Sequence, residues 1–289
     1  MRRTRFVCLL IFIFSVAVFI IYTLRTRDVS DRLGPEIVMD AESITVPAGA
    51  TNAEILAGVE AYDKADGDVT SSLLVESLTP FIEKGRRNAY IVAIDSDNHV
   101  TRVSREIVYS NYRSPQFSLT KPLRFKKGVE SILTNITASD LIDGDLTDHI
   151  RISEEYRITN NTAGEYPMIF TVTNSAGDIS TLPVTVTIYD PNEPAAGPSV
   201  TMKTGLVNVS AGSGIDVFDY ISSVTMDGRT YRAVGGEKRL DAGGASLYPE
   251  DMTTEGAVDF GTPGVYEISV CFYDAEENKG SERLIIVVY

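Results

Sequence analysis

From Gly164 the chain reads G-E-Y-P-M-I-F-T-V-T, turns through N-S-A-G-D, and leaves through a second run that ends L-P-V-T-V-T-I at Ile188. Tyr166, Met168, Phe170 and Val172 recur at every second position on the way in, and Val184, Val186 and Ile188 do so on the way out. A period of two is that of a strand with one buried face, and Asn174 to Asp178 carries the residues of a turn. The same plan recurs from Gly264 to Val288, with Tyr266, Ile268, Val270 and Phe272 entering and Leu284, Ile286 and Val288 leaving. A less regular copy runs from Gly85 to Val108. Most of the chain is therefore read as copies of one hairpin and the connections between them, which makes it all-β.

Other landmarks repeat with the hairpin. The acidic stretch Asp63-Lys64-Ala65-Asp66-Gly67-Asp68 matches Asp140-Leu141-Ile142-Asp143-Gly144-Asp145. Pairing Asp66 with Asp143 gives a spacing of 77 residues, and pairing Gly85 with Gly164 gives 79. Agreement of two separate landmarks indicates an internal repeat of about 80 residues, enough for a sandwich of roughly seven short strands. The boundaries follow as repeat one over 35–110, repeat two over 111–190, a proline-rich linker over 191–197, and repeat three over 198–289. Prolines at 191, 194 and 198 cannot sit inside a sheet, so the linker reads as a semi-rigid spacer.

Ahead of the repeats, Phe6 to Leu24 contains no charged residue over 19 positions. As a helix it spans roughly 28 Å, close to the ~30 Å hydrocarbon core of a bilayer. The rival is a cleaved secretory signal. Its apolar stretch is usually roughly 7–15 residues and ends in a small-x-small site, which is not found here, so an uncleaved transmembrane signal anchor over 6–24 is expected. Residues 1–5 then form a cytoplasmic head and 25–34 a polar tether. Arginine counting gives a near tie, with Arg2, Arg3 and Arg5 on one side and Arg25, Arg27 and Arg32 on the other. The large β-rich tail decides the orientation, placing it outside the cell membrane.

A net charge of −14 argues against a nucleic-acid partner and against anionic headgroups. Cys8 lies in the apolar run and Cys271 on an expected strand, so they cannot pair. Exported proteins without disulfides are common on bacterial surfaces, and that is the favoured source.

Taken together, D-x-x-D-G-D-[VL]-T, then G-x-Y, an alternating strand, an Asn/Asp turn and a final strand resemble the bacterial immunoglobulin-like family. These are tandem, cadherin-like surface domains, of a type also found in a pesticidal crystal protein. The resemblance covers about Pro35 to Tyr289 and is fullest in repeat two. It implies three immunoglobulin-like β-sandwiches that act as a stalk, spacer or adhesin on an exported protein. Tyr166 and Tyr266 suit a tyrosine corner, in which the ring packs inward and the hydroxyl finds backbone. Arg87 fills that slot in repeat one, whose strand Ala89 to Ile94 is apolar on both faces.

Oxygen ligands cluster only in the acidic turns. Asp63, Asp66 and Asp68, and Asp140, Asp143, Asp145 and Asp148, are candidate Ca²⁺ ligands, since that ion takes several oxygens in flexible geometry. The bland reading is turn chemistry, with each aspartate bonding nearby amides; the spacing is not that of an EF-hand loop. His99 and His149 are too distant from each other and from the cysteines to form a zinc site. No serine sits in a strand-turn-helix elbow beside a base, Gly212-Ser213-Gly214 lacks the context of a nucleotide fingerprint, and no pair of acids stands out for glycoside hydrolysis. An enzyme is not expected.

Repeat three departs in length. From Asp227 to Gly264 is 37 residues, against 21 from Asp143 to Gly164. The added stretch is rich in glycine and polar groups and is interspersed with Tyr231, Leu247, Tyr248 and Met252. Tyrosines on adaptable loops make effective contact surfaces, so these four are the candidate residues for a protein or glycan partner. The alternative is an extra hairpin that covers a sheet edge or lengthens two strands.

Overall fold

The computed structural model describes residues 2–29, 33–153, 161–193 and 197–289, with side chains in the first helix described over 7–23. The side chains of the expected head, residues 30–32 of the tether and residues 194–196 of the linker lie outside the described residues. Helix α1 (Arg2–Val29) carries the apolar run and extends into the expected tether. Thr23 settles its hydroxyl on the carbonyls of Phe19 and Ile20, at 2.9 Å each, so it adds no unmet donor to this apolar surface. Among the described residues no helix is long and apolar enough to cross a membrane. The described side chains stop at Val7 and Thr23, so Phe6 and Leu24, the ends of the uncharged run, fall outside them.

The chain divides into two compact units, residues 1–112 and 113–289. In the first, β1 (Glu36–Met39), β3 (Val59–Asp63) and β4 (Gly67–Asp68) form one sheet. The second sheet holds β2 (Ser43–Val46), β7 (Val100–Tyr109), β6 (Arg86–Ile94) and β5 (Leu74–Leu78), in that order. A short helix, α2 (Asn52–Ile55), starts at a capping box in which Thr51 and Glu54 satisfy each other's backbone, and it buries Ile55.

The second unit contains this plan twice. Strands β8 (Gln116–Leu119), β10 (Ile136–Asp140) and β11 (Gly144–Asp145) face β9 (Arg124–Lys126), β14 (Ile179–Tyr189), β13 (Gly164–Thr173) and β12 (Arg151–Ile152). Repeat three extends the first of these sheets from three strands to five and keeps four in the second. One holds β15 (Ser199–Met202), β17 (Ile221–Met226), β18 (Arg229–Ala233), β19 (Leu240–Asp241) and β20 (Ser246–Leu247). The other holds β16 (Leu206–Val209), β23 (Lys279–Val288), β22 (Gly264–Tyr273) and β21 (Thr253–Glu255).

Strand register shows that the three hairpins are one structure. Arg87 pairs with Ile107, Tyr166 with Val186 and Tyr266 with Ile286. In each five-residue loop the first side chain accepts the fifth amide: Asp95 from His99 at 2.7 Å, Asn174 from Asp178 at 2.9 Å, Asp274 from Asn278 at 2.8 Å. The fourth residue is left-handed in all three, with φ of 68° at Asn98, 82° at Gly177 and 63° at Glu277. Within β6 the buried face is that of Arg87, Ala89, Ile91 and Ala93.

Repeats two and three have separate cores that are joined through one strand. Strand β23 sends Leu284, Ile286 and Val288 into the core of repeat three and Ile285 and Val287 into that of repeat two, where Leu206 also packs. A strand covered on both faces reads as an unbroken apolar run, and Leu284 to Val288 is one. Polar bonds reinforce the contact: Glu267 accepts from the Thr185 amide at 2.6 Å and hydroxyl at 3.0 Å, and Arg283 reaches Glu165 at 3.0 Å. The Gly205 amide donates to the Leu119 carbonyl at 3.1 Å, and a Cβ at Gly205 would stand 2.6 Å from the Lys121 carbonyl oxygen. Only a glycine admits that approach. Repeats two and three thus touch directly through these residues.

Candidate functional site

The acidic turns are built the same way twice. Asp63 accepts from the amides of Ala65 and Asp66 at 2.7 and 2.9 Å, and Asp140 from those of Ile142 and Asp143 at 3.0 and 2.7 Å. These first aspartates close the turn between β3 and β4, or β10 and β11. The second aspartates reach across to the hairpin loop. Asp66 takes the Ser96 amide at 2.7 Å and hydroxyl at 2.8 Å, and Asp143 takes both from Ser175 at 2.6 Å. Third in line, Asp68 and Asp145 each accept the amide of the following threonine at 2.9 Å. Those threonines, Thr70 and Thr147, turn their hydroxyls back to the amides of Ala61 and Ala138 at 3.0 and 3.3 Å.

The three aspartates and the threonine of D-x-x-D-G-D-x-T are therefore all bonded within one end of their own sandwich. The Thr70 amide and hydroxyl hold the Asp68 carboxyl below the usual range, and the Thr147 hydroxyl and amide do the same for Asp145. Among the described residues no group of three or more acids, histidines or cysteines is placed to hold a metal ion. Asp148 lies on the single turn from Thr147 to His149, while the carboxylates of Asp140 and Asp143 accept from backbone amides.

Two arginines separate repeat one from the others. Arg87 is buried in the slot of Tyr166 and Tyr266, and its guanidinium donates to the Tyr109 hydroxyl at 2.9 and 2.5 Å. Tyr166 and Tyr266 instead reach upstream carbonyls, of each residue numbered 162 and 262, at 2.9 and 3.0 Å. Arg105, 2% exposed, pairs in register with Ala89, where repeat two has Val184 opposite Met168 and repeat three has Leu284 opposite Ile268. The smaller Ala89 leaves room for the guanidinium, which donates to the carbonyls of Ile55 and Ala57 at 3.0 and 2.6 Å and to Asp40 at 2.8 Å. Among the described residues its Nε has no partner.

The expected contact surface of repeat three needs correction. Tyr231 and Leu247 are each 7% exposed and belong to the core, and Met252 packs against it. Only Tyr248 of the four presents its side chain, at 44% exposure. The added residues include β19 and β20, which continue the β15-β17-β18 sheet and turn Leu240 and Leu247 into its core. Beside this hairpin, Lys238 is pinned at 2.6 Å by both Asp216 and Asp219.

A feature the sequence did not single out is a cleft of about 750 Å³ where repeats two and three meet. Its walls include Lys121, Arg124 and Tyr189 from repeat two, and strand β15 with Lys279 and Glu282 from repeat three. Arg124 lies 5.1 Å over the Tyr189 ring. Burial pushes the Glu282 carboxyl up.

No family model matches the chain. Over 180 residues it is 28% identical to an uncharacterized 81.3 kDa protein of Acholeplasma phage L2, covering 62% of this chain and 21% of that one. It is 23% identical over 147 residues to the pesticidal crystal protein Cry22Aa of Bacillus thuringiensis, covering 48% of this chain and 20% of that one. The chain thus spans about a fifth of the length of these relatives. Among solved structures, the lipoprotein BT2262 of Bacteroides thetaiotaomicron aligns over 59% of this chain and 98% of its own, at 13% identity and a TM-score of 0.22. Mouse cadherin-23 EC22-24 aligns over 88% and 98%, at 14% and 0.20. Scores of this size carry neither a detailed fold nor a function across.

Proposed function

We propose that the chain is a membrane-anchored bacterial cell-surface protein whose immunoglobulin-like sandwiches serve as a non-catalytic spacer or adhesin. The observation that carries this reading is the packing of one strand of repeat three into the cores of both repeats two and three. A strand buried on both faces, with Gly205 and Glu267 fixing the approach, resists bending at the junction, which suits a part that holds something at a set position. The use of the acidic turns as internal stitching supports it, since Asp66 and Asp143 tie the two ends of their own sandwiches together. Support for the anchor is the 19-residue uncharged run, whose described side chains from Val7 to Tyr22 are all exposed along α1.

Protease shaving of intact cells combined with membrane fractionation tests this. Removal of the β-rich part from cells, with the chain in the membrane fraction, is the expected result; a tail protected in intact cells, or a chain released to the soluble fraction, overturns it.

A further inference from the structure

Strand β8 of repeat two and strand β15 of repeat three are the same element. Each ends its sheet, and buried Phe117 and Leu119 of β8 match buried Val200 and Met202 of β15. The outer edge of β8 is occupied. Its Leu119 carbonyl accepts from the Gly205 amide at 3.1 Å and the Thr204 hydroxyl at 2.9 Å, and its Phe117 carbonyl accepts from Asn208 at 3.2 Å. A short extended segment, Thr204 to Asn208, thus covers this edge. Nothing among the described residues bonds the outer edge of β15, which forms a wall of the 750 Å³ cleft. An unpaired edge presents a row of amides and carbonyls that a further strand can complete.

Charge selects the kind of strand. The chain is acidic, yet the charged residues lining the cleft are Lys121, Arg124 and Lys279 against Glu282 alone. Lys279 is neutralised by Glu255 at 2.6 Å, whereas among the described residues Lys121 and Arg124 form no ion pair, Arg124 acting only at longer range on the Glu282 carboxyl. One face of Tyr189 is covered by the Arg124 guanidinium, so a sugar ring has no place to stack on that face. We propose that the open edge of β15 is a strand-docking site for an extended acidic peptide segment of a partner protein. Backbone pairing supplies the attachment, and Lys121 and Arg124 supply the preference for carboxylates.

The test uses the full chain and a labelled peptide of alternating glutamate and valine, with the lysine–valine peptide and a sulfated oligosaccharide as comparisons. Affinity is read by anisotropy and the site by amide hydrogen exchange. The glutamate peptide is expected to bind and to slow exchange at residues 199–202, and the lysine peptide to do neither. Lys121→Glu, and Lys121→Glu with Arg124→Glu, should weaken binding by on the order of tenfold or more without lowering Tm, because both side chains are exposed. The single variant leaves the Arg124–Tyr189 stack intact, so a fold defect in the double one does not obscure the result. Absence of glutamate-peptide binding, equal binding of the lysine peptide, or protection elsewhere overturns the proposal. So does equally strong binding of the sulfated oligosaccharide with no protection at 199–202 by either anion, which would mark a plain anion site.

Discussion

Repeats one and two share strand order, hairpin register and acidic turn, yet their interiors are built on different chemistry. Repeat two fills the inward positions of its hairpin with Tyr166, Met168, Phe170 and Val172 against Val184, Val186 and Ile188. Repeat one places Arg87, Ala89, Ile91 and Ala93 against Arg105, Ile107 and Tyr109. The same β frame is thus held either by apolar packing or by two guanidinium groups whose donors reach carbonyls, a phenol and one carboxylate. The difference teaches that the frame is specified by turn and clamp residues, which both repeats keep, and that the interior adapts around them.

The largest effect expected from breaking this comparison is at Arg105. Arg105→Ala strands the carbonyls of Ile55 and Ala57 and empties a buried volume, and should destabilise the first unit by about 3–5 kcal/mol. Val184→Ala, at the matching position of repeat two, removes apolar area alone and should cost about 2 kcal/mol. Denaturant unfolding of the full chain, read by exchange in each unit, compares them; equal losses would mean that Arg105 acts only as a space-filler.

Next in size is the clamp, where the two repeats should behave alike. Asp66→Ala and Asp143→Ala each remove two bonds to a hairpin-loop serine and should cost about 1–2 kcal/mol each. An effect at one and not the other would show that the repeated geometry hides different energetics. Removing one hydroxyl, by Tyr166→Phe, should cost about 1 kcal/mol, since the ring stays packed and one bond to the Thr162 carbonyl is lost.

Acid sensitivity should also be shared. Asp68 and Asp145 have folded pKa values below the unfolded value near ~3.9, so the stability they contribute is complete above that pH and lost as pH falls through the folded values. Melting curves should therefore fall below about pH 4 in wild type and less steeply in Asp68→Asn and Asp145→Asn. The smallest expected effect is that of Ca²⁺. The carboxylates are already bonded to amides, so millimolar Ca²⁺ against chelator should leave Tm unchanged; a rise would show that the turns reorganise around the ion.

Much of this frame was legible in the sequence. The period of two over Tyr166 to Val172, the Gly-x-Tyr start and the spacing of the aspartates locate the hairpins and turns, because strand alternation and turn residues are local properties. The role of Asp66 and Asp143 as clamps was not, since their serine partners lie about 30 residues downstream and are recognisable only once the two ends of the sandwich meet. Tyr231 and Leu247 misled for a related reason: glycine-rich surroundings suggested a loop, while sheet extension decided their burial. The junction of repeats two and three did leave a signal in the unbroken apolar run from Leu284 to Val288, which calls for cover on both faces.

That junction gives the most direct test. Ile285 lies on a strand of repeat three but its side chain fills the core of repeat two. Ile285→Ala, followed by native-state hydrogen exchange of the full chain, should lower the opening free energy of the slowest amides in β13 and β14 and in β22 and β23 by the same amount. A loss confined to repeat three, with β13 and β14 unchanged, would contradict the single shared unit.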